Sequence, residues 1–540
     1  MKNFKPIFVI CCLIIVLAAC QHATKKADND DSQLTIIAIN DVYRIAGINQ
    51  GKTGGLARVR TLRNQLQANN KHVLLLHAGD FLHPSFNSKQ DNGQAMIQTM
   101  NHLDGQTDAF DGDMLVTFGN HEFDKGRLKH VDIMNGLLNQ SEFTWLDSNI
   151  KWTDNGIASD RLKPYVFKQY GDYKVGVFSF TTDMAHPEYI ESFDDFQQTA
   201  QHYVPILRQA GADFVVALTH QPMADDQALM GLPDAYRPDI IFGGHEHFAQ
   251  AETINGHWIL KADADAASAV VVQVDLAKPK AALLPQIMPL SENIVPDEDT
   301  LHLVNQLNAT IEEQYCIEHQ ADARCLQQII GITRTELVAE ETTIRRFETN
   351  LGNLLADLSK QAFQECGADV ALLNSGSIRL NQNIPAGGQI IAKHLHEMFP
   401  YPSDLRLIEI PTALLPKILQ HSISNWTANG HWLQVSGLSF IHDPTNEEIS
   451  HIHLTKDEDA LDEDADGTIR VVMPFYLLSK NTDQDGYTMV NESMIQHCQA
   501  NGSELKDLLI DYLNAHPEGI APLRNRRICN TTRDHCLHEH

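Results

Sequence analysis

Six short apolar runs, Leu34 to Ile39, Val73 to Leu76, Met114 to Phe118, Val175 to Phe180, Phe214 to Leu218 and Ile240 to Phe242, punctuate the first half of the chain. Five of them end in Asp, Asn or His. In order these are Asp41 with Tyr43; Gly79-Asp80; Gly119-Asn120-His121-Glu122-Phe123-Asp124; His220; and Gly244-His245-Glu246-His247. Runs of this length between periodic polar-apolar stretches read as buried strands alternating with helices, a β-rich α/β layer architecture. The polar groups then fall on loops at strand ends, where sites are built on a rigid frame. A fold that satisfies the pattern must bring those loops together.

The pattern stops near Leu290. The segment from Pro285 to Pro296 reads as a linker, and residues 298–316 space Leu, Val and Ile as a helix that separates two halves. A second α/β unit follows. It has helices expected at Asn350 to Glu365 and His394 to Met398, and strands at Val370 to Leu373, Leu405 to Ile410 and Val471 to Met473. The expected organisation is a first domain over 34–292, a helical linker over 293–329, a second domain over 330–525 and a tail over 526–540.

Residues 1–20 carry Lys2 and Lys5, no acid, an apolar run from Phe8 to Val16 and the ending Leu17-Ala18-Ala19-Cys20. The run is too short to span a bilayer and reads as a secretory signal. Its ending resembles a bacterial lipoprotein signal, which implies lipidation of Cys20, a polar tether over 21–33 and a membrane-anchored, exported protein. Gln21 after Cys20 is similar to the pattern that sorts such proteins to the outer membrane of a two-membrane cell; otherwise the location is the cell surface. An oxidising compartment permits disulfides among Cys316, Cys325, Cys366, Cys498, Cys529 and Cys536. Pairs 316/325 and 529/536 would close short loops, but sequence does not choose among the fifteen pairings that six cysteines allow. A formal charge of −29 repels polyanions, so long nucleic acids are excluded as partners, and no protein partner is evident.

The five loop groups together offer what a pair of divalent ions needs: a carboxylate to bridge them, mixed oxygen and imidazole ligands, and open positions. At these motifs the chain resembles the calcineurin-like metallophosphoesterases, and among them the secreted 5′-nucleotidases. The resemblance implies a four-layer α/β/β/α first domain followed by an α/β substrate-binding domain. It implies Asp41, Asp80 and His247 as ligands of one metal and Asp80, Asn120, His220 and His245 as ligands of the other, with His121 and Asp124 as the catalytic pair. Tyr43 stands where the family commonly has His. A phenolate there suits trivalent iron or manganese better than zinc, so the cofactor is two divalent or mixed-valence ions (Zn, Mn or Fe), with Tyr43 either a ligand or a packing residue.

Further along, Asn374-Ser375-Gly376-Ser377-Ile378-Arg379 resembles the family's N-x-G-x-I-R signature, and Arg345 an upstream arginine of the same site. A guanidinium fork suits phosphate or carboxylate oxygens. The resemblance also implies Tyr401 and Tyr476 as aromatics that clamp a base and Asp485 as the acceptor for ribose hydroxyls. Asn481 to Glu492 also has the spacing of a calcium loop without its two flanking helices, and the acidic run Asp457 to Asp466 reads as a solvated hairpin tip. The function implied is metal-dependent hydrolysis of nucleoside 5′-phosphates outside the cytoplasm. The alternatives are another hydrolase on the same frame, for 2′,3′-cyclic nucleotides, nucleotide sugars or a sulfur-oxygen ester, and a surface lipoprotein that binds nucleotides without turnover.

Overall fold

The computed structural model describes residues 31–536 except 107–108, 185–186, 280–281, 428, 456–460, 462–466 and 483. The leader with Cys20, most of the tether, the acidic run and Asp483 of the candidate calcium loop lie outside the described residues.

The first domain stacks two sheets. In the seven-stranded sheet Gln33–Ile39 lies between Ser268–Asp275 and His72–His77, followed outward by Met114–Thr117, Thr144–Leu146 and Leu162–Lys163. The six-stranded sheet is centred on Ile240–Gly243, Phe214–His220 and Tyr173–Thr181. Side chains alternate across a strand, and here the parity is strict. Leu34, Ile36, Leu74, Leu76, Val216 and Leu218 fill the core between the sheets. Ile37, Ile39, Val73 and Leu75 face helices Leu56–Gln67 and Gln94–Asn101 on one outer side, whereas Val215, Ala217 and Ile241 face Phe196–Gln209 and Met223–Met230 on the other. Strands buried on both faces need continuous apolar runs, which is why they read so plainly in the sequence. The result is the expected four layers.

The pairs Gln33–Ile39/His72–His77, His72–His77/Met114–Thr117 and Phe214–His220/Ile240–Gly243 are parallel. Their carboxyl ends therefore share one edge of the domain, where ligands bind in open α/β sheets.

In the second domain a four-stranded sheet orders Leu405–Pro411, Thr468–Pro474, Val370–Asn374 and Leu433–Ser436. Ala371, Leu373, Leu405 and Leu407 pack against helices Asn350–Ala362 and Leu505–Ala515, while Val370, Leu372, Ile408 and Ile410 pack against Leu415–Ile423. The Thr349 hydroxyl accepts from Gly352 N at 3.0 Å and caps the Asn350–Ala362 helix.

Three boundaries differ from expectation. The segment read as a linker contains the strand Gln286–Pro289, paired antiparallel to Ser268–Asp275 at the sheet edge. Four residues with one partner strand carry too little periodicity to announce themselves. Helix Glu298–Glu318 is not a free spacer: Val304, Ile311 and Cys316 belong to the first domain's core, and the helix packs on Leu56–Gln67 and Gln94–Asn101. The tail contains Ile528–Asn530, which pairs in parallel with Phe440–His442 of the second domain. Its burial depends on a strand far back in the chain, which no local pattern reveals. Disulfides join Cys316 to Cys325, Cys366 to Cys498 and Cys529 to Cys536.

Candidate metal centre and interdomain site

The loops at the carboxyl edge approach one another closely because glycines precede their polar residues. A Cβ on Gly79 would lie 2.5 Å from Gly119 N, one on Gly119 would lie 2.1 Å from Asp80 Oδ1, and one on Gly244 would meet Ala78 O at 2.7 Å. Asp41, Asp80, His245 and His247 all take positive φ, from 53° to 89°. Non-glycine residues hold that conformation at a cost, and such strain concentrates at functional sites.

Asp41, Asp80 and His247 each place a donor atom within 4.8 Å of the others. His247 Nε2 lies 3.2 Å from Asp41 Oδ1, and His220 Nε2 lies 3.2 Å from Asp80 Oδ2. The Tyr43 hydroxyl sits among them, 3.4 Å from Asp41 Oδ1, 3.2 Å from Asp80 Oδ2 and 2.9 Å from His247 Nε2. His245 Nδ1 contacts Asn120 Oδ1 at 3.2 Å, and the His220 and His245 rings meet edge to face. All seven expected donors thus gather at one place.

The electrostatics fit cations. Burial opposes charging of His220, yet Asp80 and Asp41 raise it to about 10; burial likewise opposes His247, while Glu341 and Asp41 raise it to about 9. Burial also opposes ionisation of Asp41 and Asp80, but the neighbouring histidines hold both carboxyls below their ordinary range. Burial, then Asp80 and Asp41, push the Tyr43 phenol well above its usual value. His220 Nδ1 is tied to Ala78 O at 2.7 Å while its buried Nε2 faces Asp80 Oδ2 at 3.2 Å, which leaves Nε2 as the nitrogen turned toward the donor cluster. The residues present therefore fit a dinuclear divalent centre.

Six other charged groups build this geometry and carried no assignment in the sequence. Glu122 accepts the backbone N–H groups of Gly119, Asp80, Phe81 and Leu82 and so clamps the Asp80 loop to the His121 loop. Burial and Asp80 push it up to about 7. Glu246 bonds Lys261 Nζ at 2.5 Å, and Lys261 also meets Asp226 at 3.0 Å, a buried network under the His245–His247 loop. Asp265 accepts from Tyr43 N, Arg44 N and, from the second domain, Asn381 Nδ2 at 3.0 Å. Glu341, also of the second domain, lies 3.1 Å from His247 Nδ1. Glu122 and Glu246 stand inside the two histidine motifs, so position could have suggested them. Asp265 and Glu341 belong to no motif.

His121 Nδ1 bonds Asp124 Oδ1 at 2.9 Å, and His121 N donates to Asp80 Oδ1 at 2.8 Å. Across the domain boundary the Tyr401 hydroxyl donates to Asp124 Oδ2 at 2.8 Å and lies 3.2 Å from His121 Nδ1. The Arg379 guanidinium stands 5.6 Å from the Tyr401 ring centre, with a buried Nη1 that has no hydrogen-bond partner among the described residues. Asn374 Nδ2 donates to Asp485 Oδ2 at 2.7 Å, and the Tyr476 hydroxyl to Asp485 Oδ1 at 3.3 Å, which gathers those three residues. Arg345 is engaged with Glu341 in a buried ion pair. Tyr43, Arg44, Glu341, Arg379, Lys393 and Glu397 border an interdomain cleft of about 80 Å³; Tyr476 and Asp485 are not part of its lining.

The calcineurin-like phosphoesterase family matches residues 34–249, and the 5′-nucleotidase C-terminal domain family matches residues 329–492. Snake venom 5′-nucleotidase of Gloydius brevicauda is 27% identical over 452 residues, covering 76% of this chain and 74% of the relative. The crystal structure of a 5′-nucleotidase precursor from Thermus thermophilus superposes with a TM-score of 0.72 at 23% identity, over 92% of this chain and 99% of that one. A sulfate thiohydrolase of the same species superposes with a TM-score of 0.67 at 17% identity, over 93% and 98%.

Proposed function

The chain belongs to the 5′-nucleotidase-like metallophosphoesterases, a calcineurin-like phosphoesterase domain joined to a 5′-nucleotidase C-terminal domain, and we propose that it hydrolyses nucleoside 5′-monophosphates to nucleoside and phosphate outside the cytoplasm. The observation that carries this reading is the meeting of the two halves of the site. His121, whose backbone N–H donates to Asp80 of the donor cluster, pairs with Asp124, the Tyr401 hydroxyl of the second domain reaches both, and Arg379 borders the same cleft as Tyr43. Two metals held by those donors would lower the pKa of a water and neutralise phosphate oxygens.

The chain's own residues account for the rest. With Nδ1 held by Asp124, His121 presents Nε2 to the reacting group, where a protonated imidazole stabilises charge building on phosphate and delivers a proton to the leaving oxygen. Asp124 fixes that tautomer. Arg379, with its unpartnered Nη1, and Arg345 supply positive charge beside the phosphate, while Asn374 holds Asp485 for the ribose hydroxyls. Tyr401 and Tyr476 flank the base. The three disulfides support export, since such bonds persist in oxidising compartments, and a lipid on Cys20 would anchor the enzyme to a membrane. No helix among the described residues is long and apolar enough to cross one.

Phosphate release from AMP, 2′,3′-cyclic AMP, a nucleotide sugar and p-nitrophenyl phosphate, with a sulfur-oxygen ester alongside, tests the reading. AMP is expected to give the highest kcat/KM. In the same assay Tyr476→Ala should raise KM for AMP about 5- to 150-fold, the equivalent of a lost base stack of about 1–3 kcal/mol, and leave p-nitrophenyl phosphate nearly untouched. Equal losses on both substrates would show that Tyr476 supports the fold rather than the base.

Tyr43 reports on metal identity. A phenolate on a trivalent ion gives the purified protein a visible charge-transfer band, which Tyr43→Phe should abolish. A colourless protein whose metal content survives Tyr43→Phe would place the phenol outside the ligand set.

A further inference from the structure

The two histidines that face the bridging region are oriented from different parts of the molecule. His220 is fixed from within its own domain by the Ala78 carbonyl at 2.7 Å. His247 is fixed across the domain boundary, where its Nδ1 lies 3.1 Å from Glu341 Oε2. Glu341 opens a short helical turn, Glu341–Ile344, whose Ile344 lies in the second domain's core. Its carboxylate is 8% exposed and its other oxygen, Oε1, is engaged by Arg345 Nη2. The partners of its segment are likewise in the second domain: Glu341 N donates to Asn381 Oδ1 at 3.1 Å.

We propose that Glu341 is a positioning residue for the metal centre, a carboxylate lent by the second domain that faces His247 Nδ1 and holds the ring with Nε2 turned toward Asp41, and that Arg345 serves first to keep Glu341 in place. The inference rests on the metal-centre reading and adds to it that the ion at Asp41 and His247 is held fully only when the second domain is docked. The physical reason is common to imidazole ligands: the nitrogen not used for binding donates to a carboxylate or carbonyl, which fixes the tautomer, stops rotation of the ring and raises the basicity of the ligating nitrogen. A charged carboxylate does this more strongly than a carbonyl. It can stay charged in a buried setting only with a cation beside it, and Arg345 supplies that cation. The docked arrangement is held independently by Arg44, which bonds Asp265 Oδ2 at 2.8 Å and Arg379 O at 2.5 Å, and by Asn381, which bonds Asp265 Oδ2 at 3.0 Å. Loss of Glu341 therefore leaves other contacts to keep the domains together.

The test measures metal affinity directly, with no nucleotide present. Metal-depleted full-length protein is titrated with Mn²⁺ and with Zn²⁺ in competition with a chelating dye, for the wild type, Glu341→Gln, His247→Ala and the double variant. Glu341→Gln keeps shape and an acceptor oxygen but removes the charge. It should weaken one of the two binding events about 10- to 100-fold and leave the other unchanged, the usual cost of losing an outer partner of a ligand. In the His247→Ala background the same substitution should change nothing further, because the residue it acts through is gone. Unchanged affinity in Glu341→Gln, or an equal loss with and without His247, overturns the proposal. A wild-type protein that binds two ions but hydrolyses no nucleotide would instead count against the nucleotidase reading and leave the role of Glu341 standing.

Discussion

Replacing His121 with alanine is expected to lower kcat about 100- to 10,000-fold while KM for AMP moves little. The imidazole is held by Asp124 at 2.9 Å and its backbone N–H by Asp80 at 2.8 Å, so its position is set before substrate arrives. Its proposed work is done on charge that exists only in the transition state, and removal of such an interaction appears in kcat and kcat/KM together. A general acid of this kind contributes about 10²- to 10⁴-fold. Steady-state kinetics on AMP and p-nitrophenyl phosphate check it, and a variant that keeps more than half of the wild-type kcat removes His121 from the mechanism. The Tyr401 hydroxyl, 2.8 Å from Asp124 Oδ2, shows that the second domain also reaches this pair.

Asp80→Ala is expected to have a larger effect. Its carboxylate is the point at which Tyr43, His220 and the His121 loop converge, at 3.2, 3.2 and 2.8 Å. As the proposed bridge it belongs to both ions. Its loss should leave at most one metal per chain, and because metals contribute several kcal/mol to transition-state charge, phosphate release should fall by at least about 1,000-fold. Elemental analysis beside the kinetic assay separates the two consequences. Retention of two metals per chain would show that Asp80 shapes the loop without bridging. Melting curves of the metal-depleted wild type supply the comparison for folding, since the variant also frees His220 in a buried setting.

The sequence was most legible where local pattern and burial coincide. Leu34 to Ile39, Phe214 to Leu218 and Ile240 to Phe242 are covered on both faces, so all their residues but Thr35 are apolar whichever way they point, and the runs stood out. The polar groups that end them stood out for the same reason. The pattern failed where an element is short or has one partner, as in Gln286–Pro289 and Ile528–Asn530. Both are strands only because another strand accepts them, the preceding Ser268–Asp275 in the first case and the far-removed Leu438–Asp443 in the second.

The site divides in the same way. Residue type and order brought forward the polar groups at the strand ends, because the strands were visible, and the family resemblance those motifs carry implied the seven expected metal donors and the His121–Asp124 pair. Tertiary structure decided which buried charges hold them in place. Asp265 joins the Tyr43 loop to Asn381, and Glu341 stands on His247, across stretches of chain, 116 residues in the first case, that no motif spans. It also decided the company each substrate-side residue keeps: Arg345 with Glu341, Asn374 and Tyr476 with Asp485, and Tyr401 with the catalytic pair. Ligand chemistry is a property of side chains and can be read one residue at a time. The orientation and charge state of a buried group depend on neighbours that only the folded chain brings within about 3 or 4 Å, the range over which hydrogen bonds and ion pairs act.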